Sequence, residues 1–250
     1  MDDDERDQIA AFLDELADDR PATRERVKFC RMLSGSLGQL SRHLTVTGSI
    51  IGPDRATGVS PFDLGDDAVV GLGTLAGIAS RLIEGATDLL EVGNEYAASA
   101  LLRQLVEVEY LAHAFAEDRS VASAWLRADR EERRRFWSPA ELRRRAEGRF
   151  LATHYWNHCD WGGHPTVDGA RLLPEHGKPL VGYLVVDLQG HAIRVWRFVA
   201  ANSEDIFVPP PTDSSLDDIR AGIETWVEAD LLYRTMSGLT GYLREQGEVD

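Results

Sequence analysis

Cysteine and lysine are scarce in this 250-residue chain, and long apolar runs are missing altogether. Two cysteines, Cys30 and Cys159, cannot form a disulfide framework, and they fit a reducing compartment. The longest candidate for a membrane span, Val69 to Ile83, falls short of about 18 residues and is interrupted by Gly71, Gly73 and Gly77. The first residues, Met1-Asp2-Asp3-Asp4-Glu5, are acidic where a secretory signal needs a basic and then an apolar stretch. We therefore expect no membrane association and a cytoplasmic location. There is no internal repeat, and no phosphate-binding loop, dinucleotide fingerprint, nucleophile elbow or zinc-type cysteine pair. No cofactor is expected on these grounds.

What is present suits a globular helical protein: 43% hydrophobic and 28% charged residues, with a formal net charge of −15. Such acidity argues against a nucleic-acid surface, yet the charge is uneven. Between Arg119 and Arg149 ten arginines face five acids, a local charge of +5 that leaves −20 on the rest. Glu/Arg neighbours on solvated helices account for such a stretch, and an anionic partner such as RNA is the alternative.

Apolar residues recur at helical spacing almost throughout. The expected fold is all-α, a single multi-helix bundle or array. An acidic helix occupies residues 1–20, and one helical domain fills 21–250. Within it a core block spans about 66–166, with C-terminal helices at about 179–201 and 216–246. A helix from near Pro21 to Leu44 precedes a Gly- and Pro-containing loop over Thr45–Pro61. The segment Glu95–Glu117 is apolar around most of its circumference and is read as the central helix. Short helices are expected over Val121–Ala128, Glu131–Phe136 and Pro139–Glu147, and another over Arg149–Asp160, ending at Gly162-Gly163. The Gly/Ala-rich helix Asp66–Glu91 or the C-terminal helix Leu216–Gln246 would carry a homodimer.

Three of the seven histidines, His154, His158 and His164, fall within eleven residues, among Tyr155, Trp156 and Trp161. This cluster leaves three readings open. In the leading one, a binding or regulatory protein uses it as a pocket for an unknown small molecule. Trp156 and Trp161 form its walls, His154, His158 and His164 make polar contacts beside Tyr155, and Arg103 and Glu107, four apart on the central helix, face it. A second reading is a non-proteolytic metal site of His154, His158 and His164, with Cys159 or Asp160 as a further ligand. The spacing equals that of the metzincin zinc ligands, but Tyr155 stands where the catalytic Glu belongs and Trp161 where Gly belongs, which disfavours a protease.

The third reading comes from resemblance. Arg149 and His154 form Arg-x4-His, which resembles the signature of the HEPN superfamily of helical bundles. That resemblance implies metal-independent RNA cleavage, with Arg149 on the scissile phosphate and His154 as general acid or base. More broadly, Leu89-Leu90-Glu91, Leu102-Arg103-Gln104-Leu105-Val106-Glu107, Ala124-Trp125-Leu126 and the closing His164-Pro165 resemble a family of bacterial helical proteins of unknown function. Over residues 80–166 this implies a helical fold and a stress or defence setting.

Overall fold

The computed structural model describes residues 3–50, 65–176, 178–206 and 215–245. Eleven α-helices account for most of these residues, with no β-strand among them. The two longest lie side by side: α2 (Arg20–Ile50) and α3 (Asp67–Glu91). Leu33, Leu37, Leu40 and Leu44 of α2 repeat every three or four residues, so one stripe meets Leu72, Leu75, Ala79 and Ile83 of α3. Asp66 caps α3 by accepting the backbone N–H groups of Ala68 and Val69.

α3 is long and apolar enough to pass as a membrane-crossing segment, but most of that surface is buried inside the fold. Its small residues are part of the reason. Gly73 and Gly77 lie against Thr45 and Ser41 of α2, and Gly71 against Ala122 of α5 (Ser120–Arg127). The face expected to seat a second copy thus packs within one chain.

α4 (Glu95–Glu117) runs through the centre, between α3 and α9 (Val181–Ala201). Its core stripe reads Ala98, Leu102, Leu105, Glu109, Ala112, placing a carboxylate where the pattern calls for a hydrocarbon. α9 buries Leu188, Ile193 and Trp196, whose indole Nε1 donates to Ser36 Oγ at 2.9 Å. α6 (Arg130–Phe136) carries a capping box from Asp129 and Glu132, and α7 (Pro139–Arg145) starts with Ser138 followed by proline.

α8 (Ala152–His158) is shorter than the expected helix over Arg149–Asp160. It continues into a π turn, Cys159–Gly163, laid on α4. A Cβ on Gly162 would come within 2.7 Å of Ser99 Cβ and 2.9 Å of the Ala100 nitrogen, so only glycine allows this approach.

Three boundaries differ from the sequence reading. α2 runs on to Ile50, through part of the expected loop; the rest of that loop lies outside the described residues, as does Pro209-Pro210-Pro211. The expected helix 216–246 divides into α10 (Leu216–Ala229) and α11 (Leu231–Glu245). The break is at Asp230, whose buried carboxylate pairs with Arg26. The expected loop from Pro165 contains a 3-10 turn, Gly169–Leu172. α1 (Asp3–Asp18) packs on α9 and α11 and pairs Asp18 with Lys178 at 2.8 Å.

Candidate metal centre

Two helices each offer a pair of side chains four residues apart, so each pair shares a face. α8 supplies His154 and His158, and α9 supplies Asp187 and His191. One donor atom from each lies within 4.8 Å of all the others. The three imidazole centroids form a near-equilateral triangle, 4.6 Å between His154 and His158, 5.3 Å between His154 and His191, and 5.2 Å between His158 and His191. Asp187 bridges two of them, with Oδ2 2.8 Å from His158 Nε2 and Oδ1 3.4 Å from His191 Nε2. A tetrahedral ion with bonds of about 2.1 Å has ligand–ligand edges of about 3.4 Å, which the Asp187–His191 distance matches, while the widest donor separations, up to 4.8 Å, would have to close on the ion.

Each ring nitrogen can be assigned from what faces it. His158 Nδ1 lies 2.7 Å from the His154 carbonyl oxygen, which only accepts. Its Nε2 faces the Asp187 carboxylate, which also only accepts. Without a cation between them, both nitrogens must carry protons. Burial disfavours that charge, but Asp187 and the His154 carbonyl outweigh it and raise the His158 pKa. Burial also works against an ionised Asp187, yet His158 and His191 hold its carboxyl well below the usual range. His154 goes the other way: burial, with His191 and His158 beside it, pushes it down to about 3. At neutral pH it is an uncharged imidazole with a lone pair to give.

His191 is 1% exposed, and its buried Nε2, although 3.4 Å from Asp187 Oδ1, makes no hydrogen bond of good geometry. Its other nitrogen, Nδ1, lies 2.5 Å from Glu109 Oε2, while Arg194 Nε donates to Glu109 Oε1 at 2.7 Å. Burial alone would raise the Glu109 pKa; Arg194 and His191 instead bring it to about 2. Imidazole suits borderline ions such as Zn²⁺, Fe²⁺, Co²⁺ or Ni²⁺, and this set of three nitrogens and one carboxylate fits that class better than Mg²⁺ or Ca²⁺.

Of the residues singled out from sequence, His154 and His158 enter this cluster. His164 does not: it is exposed beyond the π turn, and its carbonyl accepts the Tyr96 hydroxyl at 3.4 Å. Cys159 points to α4, where its Sγ accepts from Arg103 Nε at 3.4 Å, and Asp160 is exposed. Arg103 and Glu107 do meet Tyr155. Arg103 Nη2 reaches Glu107 at 2.7 Å and the Tyr155 hydroxyl at 3.0 Å, and that hydroxyl donates to Glu107 at 3.1 Å. Trp156 and Trp161 lie at the surface, 55% and 37% exposed, rather than walling a cavity with that trio. The Arg149 guanidinium sits 5.3 Å over the Phe198 ring.

Asp187 and His191 escaped the sequence reading, as did the pairing of Glu109 with His191. The available signal was the repetition of the His154-x3-His158 spacing as Asp187-x3-His191 on a second apolar helix. No family model, curated protein or solved structure matches the chain.

Proposed function

We propose that the protein binds a divalent transition-metal ion, with His154, His158, Asp187 and His191 as ligands, and that it is not a protease. The observation that carries this reading is His191 Nε2, a buried nitrogen without a hydrogen bond of good geometry, among the donor atoms of two imidazoles and a carboxylate. An unsatisfied buried polar atom costs about 1–3 kcal/mol, and a metal bond removes that cost. His154 is half-buried and the Asp187 side chain 31% exposed, which gives an ion a way in from solvent. Two free, buried cysteines are compatible with a reducing, cytoplasmic setting.

Elemental analysis of untagged protein, purified without chelator, tests this. About one equivalent of a transition metal is expected, falling below a tenth in His158→Ala and Asp187→Ala. Wild-type protein with less than a tenth of an equivalent, and no uptake of added Zn²⁺ or Co²⁺ at micromolar concentration, overturns it. Cleavage of labelled RNA in EDTA, lost in His154→Ala, would instead support the ribonuclease reading of Arg149 and His154.

A further inference from the structure

The ligands come only from α8 and α9, yet the most buried carboxylate near them belongs to α4. Glu109 is 2% exposed and sits in the central core stripe, where a hydrocarbon would pack at no electrostatic cost. Its two oxygens are divided between partners: Oε1 takes Arg194 Nε, and Oε2 faces His191 Nδ1. Arg194 Nη2, a donor, also lies 3.0 Å from the same Nδ1, but the Glu109 oxygen is nearer, at 2.5 Å, and its charge prevails. A bare lone pair 2.5 Å from a carboxylate oxygen would be strongly repelled. A proton therefore lies on Nδ1, between the ring and Glu109, while Nε2, 3.4 Å from Asp187 Oδ1, is the nitrogen that turns to the other ligands and would give its lone pair to the ion.

We propose that Glu109 is the positioning residue of the metal site, fixing His191 in the Nδ1–H tautomer so that Nε2 can ligate, with Arg194 holding Glu109 in register. This inference rests on the metal-binding reading above. A carboxylate behind a ligating histidine orients the ring and raises its basicity, and its loss costs about 10- to 100-fold in metal affinity.

Glu109→Gln provides the test because it changes one atom and almost no volume. Arg194 demands an acceptor, so the Gln oxygen stays with Arg194 and the amide NH₂ turns to His191. That forces the opposite tautomer, with a proton on Nε2 where the ion should bind. Nitrogen-15 NMR of metal-free protein should show His191 protonated on Nδ1 in the wild type and on Nε2 in Glu109→Gln. Co²⁺ titration followed by its visible bands should show affinity about 10- to 100-fold lower in the variant. The double variant Glu109→Gln/Arg194→Met frees the amide to turn its oxygen to His191, so both tautomer and affinity should recover. If it does not recover, or if Glu109→Gln binds Co²⁺ as the wild type does, the positioning role is refuted while the metal reading stands. A wild type that binds no metal overturns both. A Glu109→Gln chain that does not fold leaves the double variant and wild-type NMR to decide, and a wild-type Nε2–H tautomer refutes the proposal.

Discussion

Removing the carboxylate of Asp230 should be among the most damaging single changes this fold can suffer. Arg26 and Asp230 are 204 residues apart, yet they form a bidentate pair, Nε to Oδ2 at 2.9 Å and Nη2 to Oδ1 at 2.8 Å. Their side chains are 5% and 3% exposed. Arg26 Nη1 is already buried without a partner, so the guanidinium has no reserve of hydrogen bonds. In Asp230→Ala a charge that stays ionised at any accessible pH is left in the core. Breaking a buried pair from one side costs about 3–5 kcal/mol. Asp230 Oδ1 also accepts the Tyr233 backbone N–H at 3.3 Å, a weak cap on the first turn of α11. Taking about 4 kcal/mol in all, and about 2–4 °C per kcal/mol for a chain of this size, the melting point should fall by roughly 8–16 °C. Urea unfolding followed by circular dichroism should give the same loss with an unchanged slope. Arg26→Met/Asp230→Leu, which removes both charges and keeps volume, should come within about 1 kcal/mol of wild type. A loss under about 1 kcal/mol in Asp230→Ala would refute the reasoning, because it would mean that water reaches Arg26.

Burial, with Asp230 nearby, pushes the Cys30 thiol up to about 12 from an ordinary value of 9.0. The fold holds the neutral form, so this contribution is fully present below pH 9 and fades as the unfolded chain ionises between 9 and 12. At pH 10 wild type should have lost about 1.4 kcal/mol that Cys30→Ala keeps. Urea midpoints at pH 8 and 10 measure the difference, and equal slopes against pH would count against it. Gly182→Ala should dislodge α1, since a Cβ there would lie 2.1 Å from the Ala17 carbonyl oxygen. The cost should be about 1–3 kcal/mol, with faster proteolysis within residues 3–18; an unchanged melting point and cleavage rate would show that α1 yields freely.

Helix content was legible in the sequence because an amphipathic helix writes its buried face at a fixed period. α4 and α9 were identified as helices, and α6 and α7 were placed to within two residues, on periodicity and on Ser138-Pro139. The pair His154 and His158 was legible for the same reason, since four residues is one turn. What no local period records is which faces meet. Asp187 is 29 residues from His158, and His191 is 82 from Glu109, so their meeting depends on α8 and α9 both packing on α4. His164 lies nearer to His158 in sequence than Asp187 does, yet the π turn and the contact of Gly162 with Ser99 leave it at the surface. The break at Asp230 has the same origin, for neither glycine nor proline marks it and its partner lies at the other end of the chain. The sequence by itself determined the helices and the turn-by-turn pairing of side chains, because those depend on neighbours along the chain. Only tertiary packing decided the four-residue cluster, the carboxylate behind it and the divided C-terminal helix, because donor atoms converge only where separate helices bury their faces together.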